Sequence, residues 1–371
     1  MDAVALAGQL IAIDSVNPTL VPSGAGESAI AAFCAEWMRD RGFDVTWLES
    51  TRGRPSVVGV SRGTGGGPTL MLSGHLDTVG VATWPEGLVP ATSGERLIGR
   101  GAYDMKAGVA AILSAAAGAS ADRRGDVIVA LVADEEFGSL GTEEVLGSFR
   151  ADAAIICEPS ELQVTVAHRG FAWFEIAVAG RAAHGSMPEQ GVDAIAHARR
   201  IMDALDLLGE RLVARGAHPL LSPGTVRVST IQGCVDAATV APSCVLTVER
   251  RFLPGESPDA VEAELRDVLD GLLGERAQLT RLVARGAFEA PAAAPIREIV
   301  TRQVARVTGR PAVERGEPFW TDAGLFAEAG IPCVLLGVAG GGAHADDEWA
   351  SVASIQQLER ILRGVIDDFC A

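Results

Sequence analysis

The sequence predicts an α/β protein: a mostly parallel-sheet domain drawn from both ends of the chain, with an inserted α+β unit of ferredoxin-like order. Three observations predict it. Near-continuous apolar runs alternate with helical periodicity before residue 168 and again after residue 287, as expected for buried parallel strands joined by crossover helices. Between those limits the apolar residues alternate along strands, and the elements follow the order β-α-β-β-α-β. The 371 residues also exceed one typical core. The expected division is therefore 1–168 and 287–371 for the first domain and 169–286 for the insert.

Taken in order, residues 2–13 and 27–41 have helical spacing, separated by a turn at Asp14-Ser-Val-Asn-Pro18, and Gly42 stops the second helix. Strands are expected at Asp44–Leu48, Ser56–Val60 and Pro68–Leu72. The Gly- and Pro-rich segment 80–101 reads as a long loop that ends near Asp104, and an Ala-rich helix follows over Lys106–Ala117. The apolar runs Asp126–Val132 and Ala153–Cys157 read as buried strands. In the insert, strands are expected at Phe171–Val178, Thr225–Ile231, Cys244–Phe252 and Gln278–Val283, with helices at Asp193–Leu208 and Pro258–Leu273. The Ala- and Pro-rich stretch 288–295 reads as a linker back to helices at 296–308 and 322–329, a strand at Cys333–Leu336 and a last helix over 352–369.

Composition narrows the function classes. At 48% hydrophobic and 21% charged the chain is an ordinary globular protein. Its net charge of 31 − 48 = −17 argues against nucleic acid and anionic membrane surfaces as partners. Any anionic substrate would need a local cationic pocket. Six scattered cysteines without a C-x-x-C pair read as buried reduced thiols. No basic leader precedes the first helix and no apolar run reaches membrane-spanning length, so a cytoplasmic protein is expected.

The chain is organised around Ser73-Gly-His-Leu-Asp-Thr78, where a histidine and an aspartate follow an apolar strand. A carboxylate beside an imidazole can fix its tautomer and raise its basicity as a metal ligand. Taken alone, His75 and Asp77 would read as a surface pair or a capped turn. Other strand ends carry the same chemistry, however. One leads into Asp134-Glu-Glu136, one into Glu158, and one, past the glycines 337–342, into His344, while Asp104 closes the long loop. In open α/β sheets ligands bind at the carboxyl ends of strands. Acids and imidazoles gathered there need a positive partner, and two divalent cations supply it: zinc, with cobalt or manganese as alternatives. Two cations about 3.5–4 Å apart need a bridging ligand, and Asp104 is the candidate. The expected partition puts His75, Asp104 and Glu158 on one cation and Asp104, Glu136 and His344 on the other. Glu135 is left over beside them, where a general base belongs.

The motifs Ser73-Gly-His-Leu-Asp-Thr78, Gly99-Arg-Gly-Ala-Tyr-Asp-Met-Lys106, Asp134-Glu-Glu136, Cys157-Glu-Pro159, Arg181-Ala-Ala-His-Gly-Ser-Met-Pro188, Arg251-Phe-Leu-Pro-Gly255 and Gly342-Ala-His344 span nearly the whole chain. In this order they resemble the acetylornithine deacetylase, succinyl-diaminopimelate desuccinylase and glutamate carboxypeptidase family of di-zinc amidohydrolases. The resemblance implies the same ligand partition, with Glu135 as base. It implies that the insert is a lid through which a homodimer forms, and that His184 helps to hold the developing oxyanion in the partner's site. Arg251 would bind a substrate carboxylate. Two departures bear on the substrate subclass rather than on the chemistry. Thr239 stands where the family often has Asn before Val-x-Pro, and His184-Gly-Ser186 replaces a His-Ser-Ser run.

The expected function is metal-dependent hydrolysis of the amide bond of a small N-acyl amino acid, in the manner of acetylornithine deacetylase. A carboxypeptidase or dipeptidase acting on small carboxylate-bearing peptides is the alternative within the class. A metal-dependent binding protein without catalysis is the alternative outside it, but a pure binder has no need of the non-ligand Glu135. Simpler readings stand beside some of these roles: Arg251 next to Glu249 fits a strand-surface ion pair, and His184 fits a turn cap. His168, His197 and His218 read as structural or solvent-exposed, and Trp84 and Trp320 as pocket lining or packing.

Overall fold

The structure, a computed structural model, describes the chain except Met1, Ala82, Ala217, Val235 and the side chain of Glu275. It contains two compact units. The first comprises Met1–Val166, Ala290–Arg315 and Thr321–Ala371, and the second Ala167–Glu289 and Gly316–Trp320.

In the first unit a large mixed sheet has the strand order Asp44–Leu48, Ser56–Ser61, Val127–Val132, Leu70–His75, Ala153–Ile156, Cys333–Leu335, Val164–His168. Only the middle four of these strands pair in parallel with one another. They are rich in Val, Ile and Leu, and Leu70–His75, Val127–Val132 and Ala153–Ile156 are buried along their whole length, as helix-covered parallel strands must be. The flanking pairs are antiparallel. Residues 49–55 join the first two strands and are too few for a crossover, so that edge has to be a hairpin. Helices Ala3–Ile11, Ala107–Ala117, Pro295–Thr308 and Val352–Phe369 pack with one another beside the sheet.

The segment expected as a long loop carries structure. Ala91–Ser93 and Arg96–Ile98 form a hairpin, and Arg96–Ile98 pairs with Trp349–Ser351, which pairs in turn with Gly340–Gly341. The hairpin turns at Gly94, whose φ of +59° suits a residue without a side chain. Its partner strand lies some 250 residues away in sequence, beyond the reach of local periodicity. The helix Leu140–Ser148 and the strand Val164–His168 were likewise not expected.

The second unit has the expected order. Strands Gly170–Ala179, Thr225–Gly233, Ser243–Phe252 and Ala277–Arg285 alternate with helices Ala194–Ala214 and Pro258–Asp270. The sheet order is 225–233, 243–252, 170–179, 277–285, antiparallel throughout. Phe174, Ile176, Leu246, Val248 and Phe252 of the sheet pack against Ile201, Leu205, Leu208, Val261 and Leu265 of the helices. The Asp193 and Ser257 side chains cap the two helices by accepting backbone N–H bonds. Among the described residues no helix is long and apolar enough to cross a membrane.

Candidate metal centre

Strand register assembles the site. His75 ends its strand opposite Val132, and Leu76 N–H donates to the Val132 carbonyl, so the Asp77 and Asp134–Glu136 turns leave the sheet side by side. On the other flank Ser73 pairs with Ile156, and Cys157 N–H donates to the Ser73 carbonyl, which delivers Glu158 to the same rim. His344 arrives on the loop between Gly340–Gly341 and Trp349–Ser351.

Two groups of potential ligand atoms result, each lying within 4.8 Å of one another: His75, Asp104 and Glu158 in one, Asp104, Glu136 and His344 in the other. Asp104 belongs to both through different oxygens. Its Oδ1 is 3.0 Å from His75 Nε2, and its Oδ2 is 3.5 Å from His344 Nε2. Glu158 Oε1 lies 3.8 Å from His75 Nε2, and Glu136 Oε2 lies 3.1 Å from His344 Nε2. Glu136 Oε1 is buried and has no hydrogen-bond partner among the described residues. Glu135 belongs to neither group.

Electrostatics mark the site as short of positive charge. Burial first, then the neighbouring carboxylates, push Glu135 and Glu158 well above the usual range and raise Glu136. Burial alone would lower His75, but its bond to Asp104 and the charges of Glu158, Asp104 and Asp77 hold it well above its ordinary value. Hydrogen bonds to Asp104 and Glu136 push His344 up to about 10. The carboxylates thus surround each imidazole with more negative charge than the site itself offsets. Each group offers one imidazole and two carboxylates, a donor set that fits zinc, and also cobalt or manganese.

Asp77 acts differently from the expectation. His75 Nδ1 lies 2.9 Å from the Asp77 backbone carbonyl and 3.7 Å from its carboxylate. The carbonyl thus accepts the Nδ1 proton and turns Nε2 toward Asp104. The carboxylate serves the next turn instead: Oδ1 accepts the Glu135 N–H and Oδ2 the Glu136 N–H. Asn17 Nδ2 donates both to Asp77 Oδ2, at 2.8 Å, and to Asp134 Oδ1, at 3.0 Å. Asp134 has a φ of +67°, a region that side chains adopt at a cost. Arg54 holds it there with a 2.7 Å bond while gripping Glu27 through two more. All of these groups are buried, so the two glutamates are presented by a satisfied network rather than by a mobile loop.

Sequence reasoning missed Asn17, Glu27, Arg54, Asp134 and Asp322. Asn17 lies in the turn Asp14–Pro18 and Arg54 between two expected strands, and no pattern links them to residue 134. Asp322 falls at the start of the helix expected over 322–329, and the structure places it just before the helix Ala323–Glu328. It is buried, accepts a bond from Thr142 Oγ1, and is pushed up to about 6 chiefly by burial. Its charge adds to that felt by Glu135 and Glu158.

In the second unit the structure brings His184 and Thr239 together across an isolated β-bridge, flanked by Gly185 N–H to Ala238 and Val240 N–H to Ala183. His184 is exposed, with Nδ1 2.8 Å from Ser186 Oγ, and the Thr239 hydroxyl donates to Asp236. Arg251 gives Nε and Nη2 to Glu249 and lies over the Phe171 ring, which is the ion pair that its sequence position also allowed. His168 and Trp320 pack as part of an aromatic cluster with Phe171 and Phe288.

The sequence pattern of peptidase family M20/M25/M40 matches residues 71–368. The chain belongs to this family. It is 29% identical over 380 residues to an acetylornithine deacetylase of Myxococcus xanthus, covering 98% of this chain and 96% of that one. It is 27% identical to an N-formyl-4-amino-5-aminomethyl-2-methylpyrimidine deformylase of Bacillus subtilis, covering 95% and 92%. Among solved structures, the aminopeptidase PepT of Bacillus cereus superposes with a TM-score of 0.83 at 19% identity, over 100% of this chain and 98% of that one. A Bacillus subtilis protein described as a dinuclear metal-binding peptidase of the M20 family superposes with a TM-score of 0.74 at 15% identity, over 99% and 98%. As an M20 hydrolase the chain has the mixed α/β fold of its structural neighbours.

Proposed function

We propose that this M20 hydrolase cleaves the amide bond of a small N-acyl amino acid at a centre of two divalent cations. The observation that carries the reading is Asp104, whose two carboxylate oxygens face the imidazoles of two separate ligand groups. His75, Asp104 and Glu158 would hold one cation and Asp104, Glu136 and His344 the other. Such cations lower the pKa of water and polarise a carbonyl oxygen. The protein's own residues do the rest. Glu135 takes the proton of the attacking water and passes it to the leaving amine, a role that calls for a carboxylate beside the ligands but not among them. The Asp77 carboxylate keeps Glu135 in place by binding its N–H. His184, exposed on the second unit, would donate to the developing oxyanion. An acetyl group on an ornithine-like amine is the leading choice, supported by the deacetylase relative; a dipeptide is the second. A panel of N-acetyl, N-succinyl and N-formyl amino acids and dipeptides, read by released amine, tests this. Hydrolysis of none of them by the zinc-loaded enzyme would refute it.

Arg251 is the proposed ligand for the substrate carboxylate. Glu249 accepts one N–H from Nε and one from Nη2, so the two N–H groups of Nη1 and the second of Nη2 are left for a substrate carboxylate. Arg251→Ala is expected to raise KM for carboxylate substrates roughly 10–100-fold, the worth of one bond to a charged group, and to leave their amide analogues nearly unchanged. An equal loss for both would remove Arg251 from this role.

We further infer that the enzyme is a homodimer in which His184 serves the partner's site. Refolding Glu135→Ala together with His184→Ala would then give mixed dimers with one intact site. Activity should return to about a quarter of wild type for a two-fold dimer. No recovery despite proven subunit exchange would place His184 in its own chain's site or in neither.

A further inference from the structure

Glu348 follows His344 by four residues and is fully buried. The strand pairing of Trp349 with Ile98 sets Glu348 opposite Gly99, whose N–H donates to the Glu348 carbonyl. From there the chain wraps around the Glu348 side chain. Oε2 accepts from Arg100 Nη1 at 2.7 Å and from Gly101 N–H at 3.0 Å. Oε1 accepts from Tyr103 N–H at 2.9 Å and from Asp104 N–H at 3.0 Å. Burying a carboxylate is costly unless donors surround it. Here every donor comes from the five residues that end at Asp104.

We propose that Glu348 is a positioning residue that fixes Asp104 relative to His344, and so sets the geometry of the metal position those two residues share with Glu136. The inference rests on the metal-centre reading above. The Glu348 carboxylate ties the loop that carries His344 to the backbone N–H groups of Gly101, Tyr103 and Asp104, whereas none of its hydrogen bonds comes from the segments that carry His75 and Glu158. Loosening Glu348 therefore acts on one position and spares the other, since Asp104 Oδ1 stays pinned by His75. Glutamine in its place would turn an amide N–H₂ toward two of the N–H donors, leaving a donor facing donors.

The test is zinc titration of the metal-stripped full-length protein against a competing chelator, for wild type and Glu348→Gln. Wild type should take up two equivalents. The variant should hold one at wild-type affinity and the other about 10–100-fold more weakly, the usual effect of losing a group that orients ligands. Glu348→Asp keeps the charge opposite Arg100 but withdraws the carboxylate by one methylene, so it can no longer span both pairs of donors. It should show the same selective loss, and it decides the matter if the glutamine variant does not fold. Two equivalents at wild-type affinity, or equal weakening at both positions, would overturn the positioning role while leaving the metal centre standing. Fewer than two equivalents in wild type would overturn both.

Discussion

Glu135→Gln is expected to keep both metal positions and to lose at least about 100-fold in turnover, the usual contribution of a general base. Glutamine matches glutamate in size, and the backbone bond from Glu135 N–H to Asp77 Oδ1 does not depend on the side chain. Neither ligand group contains Glu135, so metal content should stay at the wild-type value. What the variant lacks is an atom that can take up a proton. Burial and the Glu158 charge already push the Glu135 carboxyl well above its ordinary range, which favours the proton-accepting role once cations offset the surrounding charge. Metal analysis with steady-state kinetics checks both halves. Near-normal turnover would mean that the base lies elsewhere.

Asp104→Ala is expected to be the most damaging ligand change, removing activity and more than one equivalent of metal, because both groups lose a member. Glu158→Ala should lose mainly one equivalent, since Glu158 belongs to one group only. The contrast is the point: equal stoichiometries in the two variants would remove the bridging assignment, whatever their activities. Asp104 is held far below its ordinary carboxylate range, because its bonds to His344 and His75 outweigh burial.

The candidate ligands His75, Glu136 and Glu158 can be read from the sequence because each comes after an apolar run, and a polar residue just past a buried parallel strand has one place to go, whereas Asp104 follows a Gly- and Pro-rich loop and His344 a run of glycines. His75, Glu136 and Glu158 follow from that rule together with the strand register. The groups that hold them were not legible, because they act across gaps no periodicity spans: Asn17 to Asp77, Arg54 to Asp134, Glu348 to Asp104. Each such residue sits in a segment that reads locally as a turn or a loop. Asp77 shows the same limit at short range. Its position beside His75 was readable, but which of its oxygens faces the imidazole depends on the turn that follows. The parallel sheet was readable at its centre, where strands are uniformly apolar, and not at its edges, where hairpins reverse direction.

The central claim is that His75, Asp104, Glu136, Glu158 and His344 would hold two cations, with Asp104 common to both sets, and that Glu135 moves the proton as an amide is hydrolysed. Its most direct test is to strip the full-length protein of metal and restore zinc in measured steps, following amine release from an N-acyl amino acid that the intact enzyme cleaves. Activity should be absent in the stripped protein and rise with added zinc to a plateau at two equivalents. It should stay near the floor at every step for Glu135→Gln despite equal zinc uptake. Full activity without metal, or a glutamine variant that follows the wild-type curve, would contradict the account.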